Sequence, residues 1–257
     1  MRKLGRLPHD PAAIARAPSL AGHRMASIPP PPRLIRDHVA YQPQMDANDQ
    51  IGDCAEAGLA NDARATAVLD GFSINIPTDK TVGLYSAVTG YVPGDPSTDR
   101  GTVLLELLGY QLTNGFDIGG QTPLVGDFAT FDPNDRALFA NAMARCNTAY
   151  IGVNLAASDE VSNTWDINTP ASAGDPTPGS WGGHLLLAWS YTGLGDDDVV
   201  RLVTWGSLLY TATWRWLASR CDEAHIVIWR QLMKPDGRNF AGLDYDRLRA
   251  DNQNFTA

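Results

Sequence analysis

The chain has 257 residues, of which 44% are hydrophobic and 19% charged, as in a globular protein of one large or two small domains. Its net charge of −9 argues against nucleic acid as the main ligand, and its apolar runs are too short to predict a membrane span. Three cysteines without an apolar export signal favour free thiols and a cytoplasmic location in the producing cell, and the spacing of His and Cys predicts no metal or cofactor.

Residues 1–40 are predicted to form an extended, basic arm. The first 36 residues carry seven lysines and arginines against one acid, Asp10, and Pro29 to Pro32 are four consecutive prolines. Such a segment favours the polyproline conformation and cannot build a core of its own. We expect this arm to dock on other protein subunits, whose acidic faces would complement its charge.

Helices are predicted to open the body that follows the arm. Asp53 is placed to cap a helix that begins at Cys54 and ends near residue 69. Two further helices are indicated by TDKTVGLYSAVTG and GTVLLELLGYQLTNG, which the turn-rich YVPGDPSTDR connects. A fourth is predicted from DPNDRALFANAMARC, with Asp132 as its cap and Pro133 at its first position.

Strands are predicted to dominate the second half. AYIGVNLAA has the pattern of a buried strand, and the loop NTPASAGDPTPGSWGG leads into a hairpin of HLLLAWSY and VVRLVTWG across TGLGDDD. A short helix is then predicted in TATWRWLASRCDEA and a closing strand in HIVIW. Helices followed by strands give an α+β domain over residues 41–232, and residues 233–257 are predicted to be a polar tail outside the core.

Cys54 is the residue that most suggests chemistry. A thiol in the first turn of a helix lies at the positive end of the helix dipole, which favours the reactive thiolate. A nucleophile also needs a base, and His184 opens an apolar strand behind a Gly-Gly that lets another backbone approach. The alternative is that Cys54 is an ordinary buried cysteine and His184 a hydrogen-bonded histidine at a strand end.

In this order, the elements resemble the papain-like cysteine peptidases over roughly residues 42–230. Cys54 matches the nucleophile, which in that family lies on the helix of the first lobe. The strand that carries the family's histidine is matched by GGHLLLAWSY, the strand that ends in Trp-Gly by LVTWG, and the closing strand by EAHIVIW. The resemblance implies a two-lobed fold, a helical lobe and an antiparallel β lobe, here behind a Pro-rich arm. It implies Cys54 as nucleophile, His184 as base and, if the protein is active, a peptide substrate.

The sequence departs from that family at two functional positions. The family's oxyanion-donating glutamine, six residues before the nucleophile, is Asn48 here, which retains an NH₂ donor; Gln50 is a second candidate at the wrong spacing. The family's orienting asparagine is Val203, which cannot hydrogen-bond an imidazole. Thr204 could do so if the register slipped by one residue. A Cys–His dyad without the third group still acts, at a lower rate.

The sequence also resembles a group of papain-like proteins encoded by bacteriophages and bacteria. The shared features are the Pro-rich arm, the motifs NDQIGDC and SWGGH, and TWG followed later by TW and CDEA. This implies a phage association and leaves two hypotheses. The first is a thiol hydrolase that cleaves a peptide, isopeptide or amide bond, favoured by Cys54 and His184. The second is a non-catalytic structural component of a virion, a head or tail protein that uses the fold as a scaffold. Val203 and the arm favour the second.

Overall fold

The structure is a computed structural model that describes residues 2–120, 122–233, 245–253 and 255. Within these ranges it has seven α-helices: α1 Pro11–Arg16, α2 Cys54–Asp70, α3 Thr78–Thr89, α4 Leu104–Asn114, α5 Arg136–Arg145, α6 Trp214–Arg220 and α7 Tyr245–Gln253. The seven strands of the same ranges are β1 Gly126–Phe131, β2 Ala149–Leu155, β3 Thr164–Trp165, β4 Gly182–Tyr191, β5 Val199–Thr204, β6 Ser207–Thr213 and β7 Cys221–Trp229. The predicted α+β class is confirmed.

The strands form one sheet in the order β1-β7-β2-β4-β5-β6-β3, and its pairs are antiparallel except for β3 with β6. Successive strand residues point to opposite faces, so the sheet has a core on each side. Leu185 and Leu187 of β4 face the helices α2 and α4, whereas Leu186 and Ala188 face α5 and α6. The sheet therefore separates a helical layer that begins at Cys54 from a second core.

Helix α2 is buried along most of its length. Its sequence, CAEAGLANDARATAVLD, is rich in alanine, which costs little side-chain entropy and allows close packing. Buried polar residues join it to its surroundings: Arg64 pairs with Asp46, and Asp62 accepts from Trp229 Nε1 at 2.7 Å. The helix ends at Asp70 and is capped by Gly71, whose φ of 80° is the left-handed conformation that glycine adopts easily. These contacts fix the helix start, and with it Cys54, against the sheet.

Several predicted details are wrong. The helix predicted in TATWRWLASRCDEA is only Trp214–Arg220, because TAT ends the unpredicted strand β6 and CDEA begins β7. Helix α5 begins at Arg136 and is capped by Asp135, whose carboxylate accepts from Leu138 N at 3.0 Å; Asp132 instead closes the preceding turn by accepting from Asn134 N. The strand β1, GDFATF, was not predicted, because Asp127 and Thr130 obscure its apolar pattern. Asp127 is buried as the partner of Arg230.

The arm packs against the chain's own body, whereas the sequence predicted contact with another subunit. Leu20 is fully buried in the core that contains α5, and Leu34 forms a backbone bridge with Tyr191. Arg36 is buried and donates to the carbonyl oxygens of Trp189 at 2.9 Å, Met143 at 2.8 Å and Asn147. The basic character of the arm therefore serves, at Arg36, to satisfy buried carbonyl groups.

The described part of the C-terminal tail also contacts the core. In α7, Leu248 is fully buried, and Asn252 exchanges two hydrogen bonds with the backbone of Phe128 on the edge strand β1. These bonds cover an edge that would otherwise leave backbone groups unpaired. The prediction of a polar tail outside the core is thus wrong for α7; residues 234–244, 254, 256 and 257 lie outside the described residues.

The helices in the described ranges are all too short or too polar to cross a membrane.

Candidate active site

Cys54 begins α2 where that helix meets the sheet. Its sulfur lies against the backbone N–H groups of Leu185, the residue that follows His184 in β4, and of Gly5 from the arm. The side chain is 3% exposed. The structure therefore brings Cys54 beside the histidine strand, and a segment of the chain's own N-terminus covers it.

The thiol of Cys54 is protonated in this arrangement, contrary to the expectation of a thiolate. Burial raises its pKa to about 12, and the nearby carboxyl groups of Glu56 and Asp53 raise it further, although the two backbone N–H groups act in the opposite direction. The helix dipole contributes a fraction of a charge, which is a weak effect beside full burial. Formation of a thiolate thus requires water or a charged partner to reach the sulfur.

His184 is fully buried and held on two sides. Its Nε2 lies 2.7 Å from Thr204 Oγ1, and its ring stacks on Trp205 with a centroid separation of 4.2 Å and an angle of 15°. Burial lowers its pKa to about 3, so the ring is neutral at physiological pH. Its Nδ1 has no hydrogen-bond partner among the described residues. The imidazole thus has one free nitrogen for a proton, but a pKa of about 3 makes it a weak base as long as it stays buried.

Thr204 hydrogen-bonds the imidazole, whereas the resemblance described above would place the partner at position 203. Val203 packs among apolar residues beside Leu187 on the other face of the sheet. Because side chains alternate along β5, Thr204 lies on the face opposite to Val203, where its Oγ1 meets His184 Nε2. Trp205 (φ 45°) and Gly206 (φ 64°) then form a tight two-residue hairpin turn. Thr204, the alternative that the sequence left open, is therefore the residue that hydrogen-bonds the imidazole.

Asn48 lies in the same small cavity as Cys54 and Thr204. The cavity holds about 10 Å³, no more than one water molecule requires. The Asn48 amide donates to Ile51 O at 3.3 Å, within its own loop, while Gln50 is exposed. To donate to a substrate oxyanion, the Asn48 amide would have to give up this weak bond to Ile51 O. The role of Asn48 as oxyanion donor stays a prediction.

Residues 2–7 lie extended across Cys54 and bind the cleft through their backbone. Thr102 N donates to Gly5 O at 2.7 Å, Leu7 N donates to Thr102 O at 2.8 Å, and Arg6 N donates to Gly183 O at 3.2 Å. A Cβ on Gly5 would lie 1.8 Å from the carbonyl oxygen of Gly52, so only glycine fits there. The cleft is therefore shaped to take an extended peptide, and here the chain's own N-terminus fills it.

The carboxyl group of Asp53 is buried beside the thiol. Asp53 precedes α2 in the N-cap position, as predicted, but its side chain makes no capping hydrogen bond. Burial, together with the charges of Glu56 and Asp46, raises its pKa to about 9, and burial raises the pKa of Glu56 to about 7. Both groups are therefore held largely protonated in the folded chain at pH values where an exposed carboxyl is ionised.

Replacing Asp53 by asparagine is expected to stabilise the protein above neutral pH. An unfolded aspartate has a pKa near 4, so between about pH 4 and 9 the folded chain retains a proton that the unfolded chain has lost, and stability falls as pH rises. Asp53→Asn removes this loss and should raise the free energy of unfolding by about 2 kcal/mol or more at pH 8. Urea unfolding from pH 5 to 9 measures it. The exposed Glu106→Gln is the control, and parallel curves for Asp53→Asn and the parent would contradict the assignment.

The architecture is similar to that of solved cysteine-protease structures. The cysteine protease xylellain from Xylella fastidiosa superposes with a TM-score of 0.62 at 16% identity, covering 88% of this chain and 97% of xylellain. Digestive procathepsin L 3 of Tenebrio molitor larval midgut gives 0.55 at 13% identity, over 84% and 77% of the two chains. The protease and lectin-like domains of Clostridium difficile Cwp84 give 0.50 at 10% identity, over 78% and 54%. The chain thus has the papain-like fold.

Comparison of the sequence with protein-family models and with curated proteins finds no match.

Proposed function

We propose that the protein is a papain-like cysteine peptidase or amidase whose cleft is closed by its own residues 2–7. The observation that carries this proposal is the extended segment bound by backbone hydrogen bonds directly over Cys54. A groove that pairs with a peptide backbone is what a peptide-cleaving site requires. The fold, which the chain shares with known cysteine proteases, supports the same reading.

The reaction would proceed through an acyl-enzyme. In the closed form the Cys54 sulfur does not bond His184, whose Nδ1 is unpartnered among the described residues. When the segment leaves, His184 would have to turn toward Cys54 to take its thiol proton, and the sulfur would then attack the substrate carbonyl carbon. The backbone N–H of Cys54 and the amide of Asn48 are the proposed donors to the oxyanion. The C–N bond then breaks, the amine departs with the proton from His184, and water hydrolyses the thioester. Thr204 would hold the imidazole in one tautomer, as the third member of a triad does.

Hydrolysis by an opened form of the full chain tests this proposal. Arg6→Ala removes the side chain that anchors the segment, as described below, and Gly5→Val opens the cleft by a separate route. Either variant should hydrolyse fluorogenic peptide amides faster than the parent. Adding Cys54→Ser or His184→Ala should abolish the activity. Absence of hydrolysis in both opened forms, or hydrolysis that survives Cys54→Ser, would refute the proposal.

A second candidate is a non-catalytic structural component of a bacteriophage virion. It is favoured by the buried, uncharged state of Cys54 and His184, since a scaffold needs neither group ionised. Such a role would place the protein in the virion and would require a further subunit to dock on the arm. The arm's exposed residues, among them Arg16 and Arg33, are available for that contact, while Arg36 is already used within the chain.

A further inference from the structure

The side chain of Arg6 occupies a closed pocket next to Cys54. Arg6 is 4% exposed, although it lies five residues after the first residue of the chain. Its Nε donates to Glu223 Oε1 at 2.7 Å, its Nη2 lies 2.6 Å from Asp222 Oδ1, and its Nη1 donates to Asn154 Oδ1 at 3.3 Å. Each nitrogen of the guanidinium therefore has its own acceptor on β2 or β7.

The pocket exists because β2 has a glycine where it faces Glu223. Gly152 and Glu223 are paired across β2 and β7, and a Cβ at position 152 would lie 2.4 Å from Arg6 Nε and 2.7 Å from Glu223 Cγ. Any other residue would fill the space that the guanidinium takes. The pocket thus combines room for a long side chain with acceptors at its end.

The charge of the pocket is fixed by a buried carboxylate. Burial by itself would raise the pKa of Glu223, but its bonds to His225 and Arg6 and their charges outweigh that effect and lower it. The Glu223 side chain is fully shielded from solvent, whereas Asp222 is 36% exposed. A peptide side chain that fills the pocket removes water from Glu223, and a carboxylate buried in this way without a cation is strongly unfavourable, so the pocket would select a positive side chain.

We propose that this pocket recognises an arginine of the substrate peptide, beside the residue that lies over Cys54. The inference rests on the proposed function and names its substrate class: peptides with arginine at that position. Residues 2–7 show the fit, because Gly5 contacts the Cys54 sulfur while Arg6 enters the pocket. When the segment leaves, Glu223, Asp222 and Asn154 remain to receive an equivalent side chain.

Arginine fits these acceptors better than lysine or a metal ion. Three acceptors meet three different nitrogens of a planar fork, an arrangement that the single nitrogen of lysine cannot satisfy. His9, Asp222 and Glu223 have ligand atoms within 4.8 Å of one another, but His9 belongs to the arm and would leave the pocket with it. Two carboxylates and an amide then favour a guanidinium.

Peptide binding to the full-length Arg6→Ala chain tests the pocket without relying on catalysis. The probes are nonapeptides of residues 2–10, RKLGXLPHD, with arginine, citrulline, lysine or alanine at X, titrated by calorimetry. Citrulline keeps the shape of arginine and removes its charge. The tethered segment competes equally with each probe, so affinity ratios are unaffected. We expect arginine to bind about 100-fold more tightly than citrulline or alanine, as lost charge-assisted bonds imply.

Glu223→Gln in the Arg6→Ala chain should remove most of the preference for arginine over citrulline, and the exposed Asp222→Asn should change it less. If Glu223→Gln does not fold, the arginine-to-citrulline ratio in the unaltered pocket decides alone. Equal binding of the two peptides, or no binding of the arginine peptide, overturns the inference. Selective binding of the arginine peptide without hydrolysis would refute the proposed function but support the arginine pocket. Hydrolysis at the same rate with or without arginine in the peptide would support the proposed function but refute the arginine pocket.

Discussion

Replacing Arg6 by alanine is expected to raise the rate of Cys54 alkylation by iodoacetamide about 100-fold or more. In the closed cleft Arg6 neutralises the buried Glu223, and removing one partner of such a pair costs about 3–5 kcal/mol. That cost falls on the closed state alone, because an open pocket is hydrated. The open population, in which the Cys54 thiol meets water and can ionise, should rise accordingly.

Peptide mass spectrometry of the alkylated protein distinguishes opening from unfolding. Cys146 is buried in the other core and should stay unlabelled, whereas Cys221 is also buried there but lies beside Asp222 and Glu223 of the Arg6 pocket and is the weaker control. Arg16→Ala removes the same charge from an exposed position of the arm and should leave the Cys54 rate at the parent value. An unchanged Cys54 rate in Arg6→Ala would mean that Arg6 does not close the cleft. A parallel rise at all three cysteines would mean global unfolding.

Replacing Arg36 by alanine is expected to lower the free energy of unfolding by about 3–5 kcal/mol. Arg36 donates to three buried carbonyl oxygens and lies over the Trp189 ring at 4.7 Å, and each acceptor that loses its donor costs about 1–3 kcal/mol. Burial already lowers the pKa of Arg36 to about 10, so the site tolerates the charge only through these bonds.

Urea denaturation measures this loss against Arg33→Ala, an exposed arginine three residues earlier that should change stability by less than about 0.5 kcal/mol. A large loss for Arg36 alone would establish that the arm is part of the folding unit. Similar, small effects of both substitutions would instead make residues 1–40 separable from the body. That result would restore the predicted role of the arm as a docking element for another subunit.

The order of helices and strands could be predicted from the sequence because it depends on local patterns. The helix after Asp53, the hairpin of β4 and β5 and the strand that His184 opens have clear apolar periodicity or turn residues. The edge strand β1 could not be predicted, since its polar residues are satisfied by distant partners: Arg230 for Asp127 and α7 for the backbone of Phe128.

The candidate site could be predicted only in part, because some of its residues stand out in the local sequence and others are brought together only by the fold. Cys54 and His184 stand out by their positions at the start of elements, but the hydrogen bond between Thr204 and His184 depends on how β4 and β5 meet in space. The pocket for Arg6 combines residues more than 140 positions apart in sequence, and Glu223 alone gave no indication of its role. Burial also reversed the expected ionisation of Cys54, which the helix start alone would favour.

The most direct test of a cysteine peptidase with a self-closed cleft is the intact mass of the Arg6→Ala chain during turnover of an arginine-containing peptide ester. We predict a transient species heavier by the mass of the acyl group, located on Cys54 by fragmentation. It should be absent in the parent chain and in Arg6→Ala with Cys54→Ser, and greatly reduced with His184→Ala. An opened, folded chain that never acylates Cys54, or that does so equally without His184, would contradict the account.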